Sequence, residues 1–151
     1  QRQMCIRDSS YTTPELLDKL SEHGVKPSAQ RLLILRFLME NRIHPNVDEI
    51  YQALLPEHPT LSRTTVYNTL KLLSAAGIIR CIDVGGSHGA RWDYSHNDHA
   101  HFLCTACGRV TDVEFDGYVP AFPTPPGGFT VQSAEINLRG VCPECLKQMA
   151  S

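Results

Sequence analysis

At 151 residues, with 42% apolar and 20% charged side chains, the chain has the size and balance of one ordinary globular domain or two small ones. No apolar run approaches the roughly 20 residues a membrane helix needs, and the start lacks the basic, apolar and small-residue regions of a secretory signal, so a cytoplasmic chain without a membrane partner is expected. A net charge of −2 excludes nucleic-acid binding through total charge alone, although residues 58–82 hold no acid while 95–151 carry six acids against three Lys or Arg, a split that suggests a division of labour.

In chain order, QRQMCIRDS at the start has no periodicity and reads, within residues 1–10, as an extraneous or disordered leader outside the fold. Thr13 is placed to cap a first helix with Pro14 at its first position, Leu16, Leu17 and Leu20 inward and Gly24 closing it. Ser28 caps a second, turning in either Leu32, Leu35 and Leu38 or Leu33 and Phe37. A short third helix starts near Val47, carries Asp48 and Glu49 in its first turn and stops before Pro56. The fourth, SRTTVYNTLKLLSAAG, runs from Ser62 to Gly77; Val66, Leu70 and Leu73 share one side, and Arg63, Thr64, Tyr67, Asn68 and Lys71 another. IIRCIDV (78–84) and ARWDY (90–94) read as two strands joined at GGSHG, with Cys81 a small core residue. Helices followed by a hairpin are the layout of a winged helix.

The character changes near Tyr94 to Asp98. HAHFLC, RVTDVEF and TVQSAEINLRGVC read as strands, and GYVPAFPTPPGGF, with four prolines and three glycines in thirteen residues, cannot hold a long helix. The expected fold is α+β: a winged helix-turn-helix domain over 11–94, a hinge at 95–98, and a small zinc-containing α/β domain over 99–151.

Two C-x-x-C pairs, Cys104 with Cys107 and Cys142 with Cys145, are separated by 34 residues. Two residues between cysteines let both sulfurs face one ion; Gly108 suits the tight turn after one pair and Pro143 pre-sets the other. Four thiolates select zinc in a closed, structural site; disulfides or a redox dithiol pair are the plainer alternatives. His99-Ala-His101 on a strand places two rings on one face about 6.6–7 Å apart along the backbone, and Asp112 follows on the next strand. Alone, such a pair is weak and fits two exposed histidines. His23, His58, His88 and His96 read as ordinary surface histidines.

Six segments, HPNVDEIY (44–51), SRTTVYNTLKLLSAAGII (62–79), RWDY (91–94), DHAHFLC (98–104), CGRVTD (107–112) and GVCPEC (140–145), together resemble the ferric uptake regulator family over residues 12–147. The resemblance implies a homodimeric, metal-dependent transcription repressor, with 99–151 its metal-binding dimerisation domain, not an enzyme and so without catalytic residues. It implies a regulatory metal held by His44, Asp93, His99, His101 and Asp112, and imidazole with carboxylate suits Fe(II), Mn(II) or Zn(II), unlike the soft cysteine site. Aspartate at 112 with R-W-D at 91–93 resembles the peroxide-responsive (PerR-like) branch, in which His44 and His99 would be the histidines open to oxidation; iron- or zinc-uptake regulators share nearly the same pattern. Two departures stand out. Gln132-Ser133-Ala134 lacks a histidine that many members use for another metal site, and VPAFPTPPGG stands where many have a helix.

Residues 62–77 would be the recognition helix, reading an AT-rich inverted-repeat operator in double-stranded DNA. Tyr67 can touch thymine methyls and Asn68 can pair with adenine, while Arg63, Thr64 and Lys71 suit phosphates; a merely solvated helix face is the plainer reading. Two rivals come from other classes. A zinc-dependent hydrolase would use His99, His101 and Asp112 as ligands, but no H-E-x-x-H helix is present. A structural zinc module would bind a protein partner and not need metal to bind DNA.

Overall fold

Thr12 starts the first helix, α1 (Thr13–Glu22), one residue earlier than expected. Its hydroxyl accepts from the Glu15 amide at 3.4 Å, and the Glu15 carboxylate accepts from the Thr12 amide at 2.6 Å, a reciprocal capping box. Thr13 is already helical, and its hydroxyl accepts instead from Arg36 at 3.0 Å. Leu16 and Leu20 are fully buried, but Leu17 is 37% exposed, so the inward stripe is narrower than the sequence suggested.

The computed structural model describes residues 11–83, 89–94, 100–114, 125–131 and 134–151, and the chain divides into two compact units, Gln1–His96 and Asn97–Ser151. The leader (1–10), His88, His96, His99, residues 132–133 and 117–124 of the proline-rich segment lie outside the described residues. Among the described residues no helix is long and apolar enough to cross a membrane.

In the N-terminal unit α2 (Ala29–Glu40) is capped by Ser28, α3 (Val47–Leu54) by Asn46 in a second capping box with Glu49, and α4 (Arg63–Ala75) by Ser62. Helix α2 buries Ile34, Leu35, Phe37, Leu38 and Met39, more than one stripe, because it lies between α1 and α4 in one core. Gly77 ends α4 at φ +75°, a left-handed conformation that a glycine takes without strain, and the Ile78 amide returns to the Leu73 carbonyl at 3.0 Å. Strands β1 (Arg80–Asp83) and β2 (Ala90–Asp93) pair antiparallel, with Cys81 opposite Trp92. Trp92 enters the helical core, whereas Cys81 is exposed. The core assignment for Cys81 is therefore corrected: in a two-stranded ladder a short thiol does not reach the core its large cross-strand neighbour enters.

The C-terminal unit holds a three-stranded sheet in the order β4-β3-β5. Strand β3 (Ala100–Cys104) runs antiparallel to β4 (Val110–Val113) and parallel to β5 (Asn137–Gly140). The third strand is much shorter than the thirteen-residue segment proposed for it, and a helix not foreseen, α5 (Pro143–Ala150), follows. Ala100, Leu103, Cys104, Val110 and Cys142 are its buried apolar side chains among the described residues. So small an apolar interior leaves the unit only marginally stable without a staple.

Candidate metal centres

The ligand atoms of Cys104, Cys107, Cys142 and Cys145 all lie within 4.8 Å of one another. A tetrahedral site with zinc–sulfur bonds of about 2.3 Å sets its sulfurs about 3.8 Å apart, so the four donors fit a single ion. The turns deliver them from different elements. Gly108, at φ +74°, lets the chain fold back after Cys107, its amide donating to the Cys104 carbonyl at 2.8 Å. Cys142 caps α5 at Pro143, and its amide donates to Cys104 Sγ at 3.3 Å. That bond, then others from the Cys107 and Ala106 amides, draws the Cys104 thiol down to about 6. The Cys145 thiol is pushed up to about 12, first by its hydrogen bond to Cys142 and then by burial. The cluster accommodates negative charge at one sulfur and resists it at another, the condition a bound dication relieves.

The other expected donors form one histidine–aspartate pair in each unit. In the N-terminal unit His44 and Asp93 are each only 3% exposed, with Nε2 3.9 Å from Oδ1. His44 follows α2 and adopts φ +52°, a left-handed backbone that few residues other than glycine take and that clusters at functional sites. Three successive residues of β2 face this loop. Arg91 Nη1 donates to the His44 carbonyl at 3.3 Å and to Glu49 Oε2 at 2.7 Å, the Trp92 amide donates to the Pro45 carbonyl at 3.0 Å, and Asp93 sits beside the ring. In the C-terminal unit His101 and Asp112 are direct cross-strand partners on β3 and β4, with Nε2 3.6 Å from Oδ1. Both separations exceed a normal hydrogen bond and approach the spacing, about 3–3.5 Å, of two donors sharing one ion at bonds near 2.1 Å. Each pair thus fits a nitrogen-and-oxygen half-site. His99 lies outside the described residues.

Arg63, Thr64, Tyr67, Asn68 and Lys71 are all exposed on α4, while Val66, Leu70 and Leu73 are fully buried. Sequence alone did not show that Arg63 is already engaged: its guanidinium forks onto the Asp48 carboxylate of α3 at 2.5 and 3.2 Å. That bond holds the Asp48 carboxyl below its ordinary range.

A model of the ferric uptake regulator family matches residues 22–137. The peroxide operon regulator of Bacillus subtilis is 33% identical over 142 residues, covering 93% of this chain and 97% of that protein. The peroxide-responsive repressor PerR of Staphylococcus aureus is 32% identical, covering 93% and 95%. The solved structure of the Helicobacter pylori ferric uptake regulator, described as having three functional metal binding sites, superposes with a TM-score of 0.69 at 19% identity, covering 93% of this chain and 97% of that one, and so shows a shared fold. A family match over most of the chain, with relatives about one-third identical along nearly its whole length, establishes that this protein belongs to the ferric uptake regulator family.

Proposed function

We propose that the chain is a metal-dependent, DNA-binding transcriptional repressor that responds to peroxide stress. The observation that carries this reading is the pair of histidine–aspartate half-sites, His44 with Asp93 and His101 with Asp112, kept apart in chemistry from the four cysteines. The cysteine cluster would hold structural Zn(II), with α5 and β3 as its supports. His44, Asp93, His99, His101 and Asp112 would share one regulatory ion, Fe(II) or Mn(II), or Zn(II) in the simpler metal sensors. When bound, that ion supplies a Lewis-acidic centre and, as iron, reactivity toward peroxide. The protein's part is to present imidazole nitrogens and carboxylate oxygens from both units, so that occupancy would select one arrangement of the DNA-binding helices.

In a homodimer such selection would match two α4 helices to half-sites about one DNA turn, ~34 Å, apart, on an AT-rich inverted repeat. Tyr67 and Asn68 would meet base edges, and Arg63, Thr64 and Lys71 phosphates. Oxidation of His44 or His99 would remove a donor and release the operator. The peroxide names of the Bacillus and Staphylococcus relatives, and aspartate at 112, favour this branch over iron or zinc uptake control.

The test is operator binding with Mn(II), Fe(II) or Zn(II), followed by a peroxide pulse. Loss of binding in the iron form alone is expected. Binding that survives peroxide in all three forms points to a plain metal sensor, and metal-independent binding overturns the regulatory site.

A further inference from the structure

The loop that carries His44 is gripped at three successive residues. Arg91 Nη1 donates to the His44 carbonyl at 3.3 Å, the Trp92 amide to the Pro45 carbonyl at 3.0 Å, and the Asn46 amide to Glu49 Oε2 at 2.9 Å. That same Glu49 oxygen accepts from Arg91 Nη1 at 2.7 Å. One carboxylate oxygen therefore joins the start of α3 to the guanidinium that holds residue 44. Arg91 is 14% exposed and Glu49 42%, so the guanidinium is shielded while the carboxylate still meets water, and the contact matters for its geometry more than for its energy. The held residue has a left-handed backbone, φ +52°, and such a conformation persists only where its surroundings enforce it.

We infer that Arg91 and Glu49 are positioning residues for the regulatory metal, fixing the His44 ring from behind through the backbone of residues 44–46. The inference rests on His44 being a ligand, as proposed above. Neither residue need touch the ion: a guanidinium has no lone pair to offer, and the Glu49 carboxylate is committed to Arg91 and to the cap of α3. Their effect is to keep an imidazole oriented before the ion arrives, as hydrogen-bond partners outside a metal's own ligands do, where losing one costs about 10–100-fold in affinity.

The experiment is Mn(II) titration of the zinc-loaded full chain, reading free Mn(II) by electron paramagnetic resonance, with Co(II) visible spectra to report coordination. Zinc content and thermal unfolding report the fold. Arg91→Ala should weaken Mn(II) by about tenfold or more and alter the Co(II) bands, leaving zinc content unchanged. Arg91→Lys should fall between, since a lysine keeps the charge beside Glu49 but lacks the rigid guanidinium that sets Nη1 on both acceptors. Glu49→Gln keeps an acceptor for the Asn46 amide and removes only the charge, so it should weaken Mn(II) less than Arg91→Ala while melting like the parent. Arg91→Ala that folds and binds Mn(II) within twofold of the parent overturns the inference; so does unchanged binding by Glu49→Gln if Arg91→Ala fails to fold. A His44→Ala chain with unaltered Mn(II) affinity overturns instead the ligand reading on which it rests.

Discussion

Arg109, two residues after Cys107, reaches Glu144, which stands between Cys142 and Cys145, with Nη1 2.9 Å from Oε2. The pair ties one cysteine turn to the other and raises the hold on the Arg109 proton, first through Glu144 and secondarily through the Cys107 and Cys142 sulfurs. The side chains are 39% and 67% exposed, so water and salt screen the interaction and it contributes little to stability.

Glu144→Gln should therefore keep its zinc and melt within a few degrees of the parent. Cys142→Ser should lose the zinc and lower the stability of the C-terminal unit, because it removes a donor while serine still serves as the N-cap of α5. Chelation of the parent protein should do the same, while the N-terminal core of residues 16–94 keeps its helical signal. Zinc assay and circular dichroism measure both. Zinc loss from Glu144→Gln would show that the ion pair, not the sulfur set, holds the site.

Stripped of metal, the same unit should show a stability maximum in pH. The Cys104 thiol lies at about 6 when folded, below its ordinary 9.0, so its contribution is complete above pH 9 and disappears as pH falls toward 6. The Cys145 thiol lies at about 12, above 9.0, so its contribution is complete below pH 9 and disappears as pH rises toward 12. Under reducing conditions the urea midpoint of the metal-free unit should rise from pH 6 to near pH 9 and then fall. A midpoint that declines steadily from pH 6 to 9 contradicts the hydrogen bonds assigned to Cys104.

Asp48 occupies Arg63 in the absence of DNA. For Arg63 to hold a phosphate it must exchange one anion for another, which reduces its net gain. Asp48→Asn removes the competitor and an adjacent negative charge, and should tighten operator binding by up to about fivefold, as suits a screened pair of exposed charges. Arg63→Ala should weaken binding and flatten the salt dependence by about one unit of slope. Fluorescence anisotropy across a salt series separates the two. Tighter binding by Asp48→Asn that persists unchanged in the Arg63→Ala background would mean Asp48 acts by bulk charge and not through Arg63.

Local chemistry made much of the fold legible. Ser28, Ser62, Gly24 and Gly77 mark helix ends through hydrogen bonds their own types make, and Val66, Leu70 and Leu73 repeat at the helical period. The cysteine cluster was legible because a two-residue spacing constrains both sulfurs at once. What the sequence hid depends on distance. Nothing near Arg91 in the chain names the His44 carbonyl or Glu49 as its partners, 47 and 42 residues away, nor Asp48 as the partner of Arg63. Helix α5 escaped because Pro143, which opens it, also suits a cysteine turn, and because none of its residues is buried. Cys81 was misplaced because alternation along a strand identifies which side chains share a face, but not whether a short one reaches the core that its cross-strand neighbour Trp92 enters.

Gly140, the last residue of β5, is where packing beside the cysteine cluster should be least forgiving. Its carbonyl accepts from the Thr105 amide at 2.8 Å and the Thr105 hydroxyl at 3.1 Å, fixing the chain two residues before Cys142 against the first cysteine turn. The Phe102 ring lies over it, and a β-carbon at 140 would meet Phe102 Cζ at 3.1 Å. Phe102 belongs to β3, paired on both sides by β4 and β5, so the ring has to yield through its own rotamer or by parting the strands. Gly140→Ala should therefore destabilise the zinc-loaded unit by about 1–3 kcal/mol, the usual cost of overpacking. Adding Phe102→Leu should recover most of that loss, since the shorter side chain clears the new methyl. Urea unfolding of the single and double variants decides it. A Gly140→Ala chain as stable as the parent, or a double variant less stable than either single one, would show that Phe102 is not what excludes a side chain there.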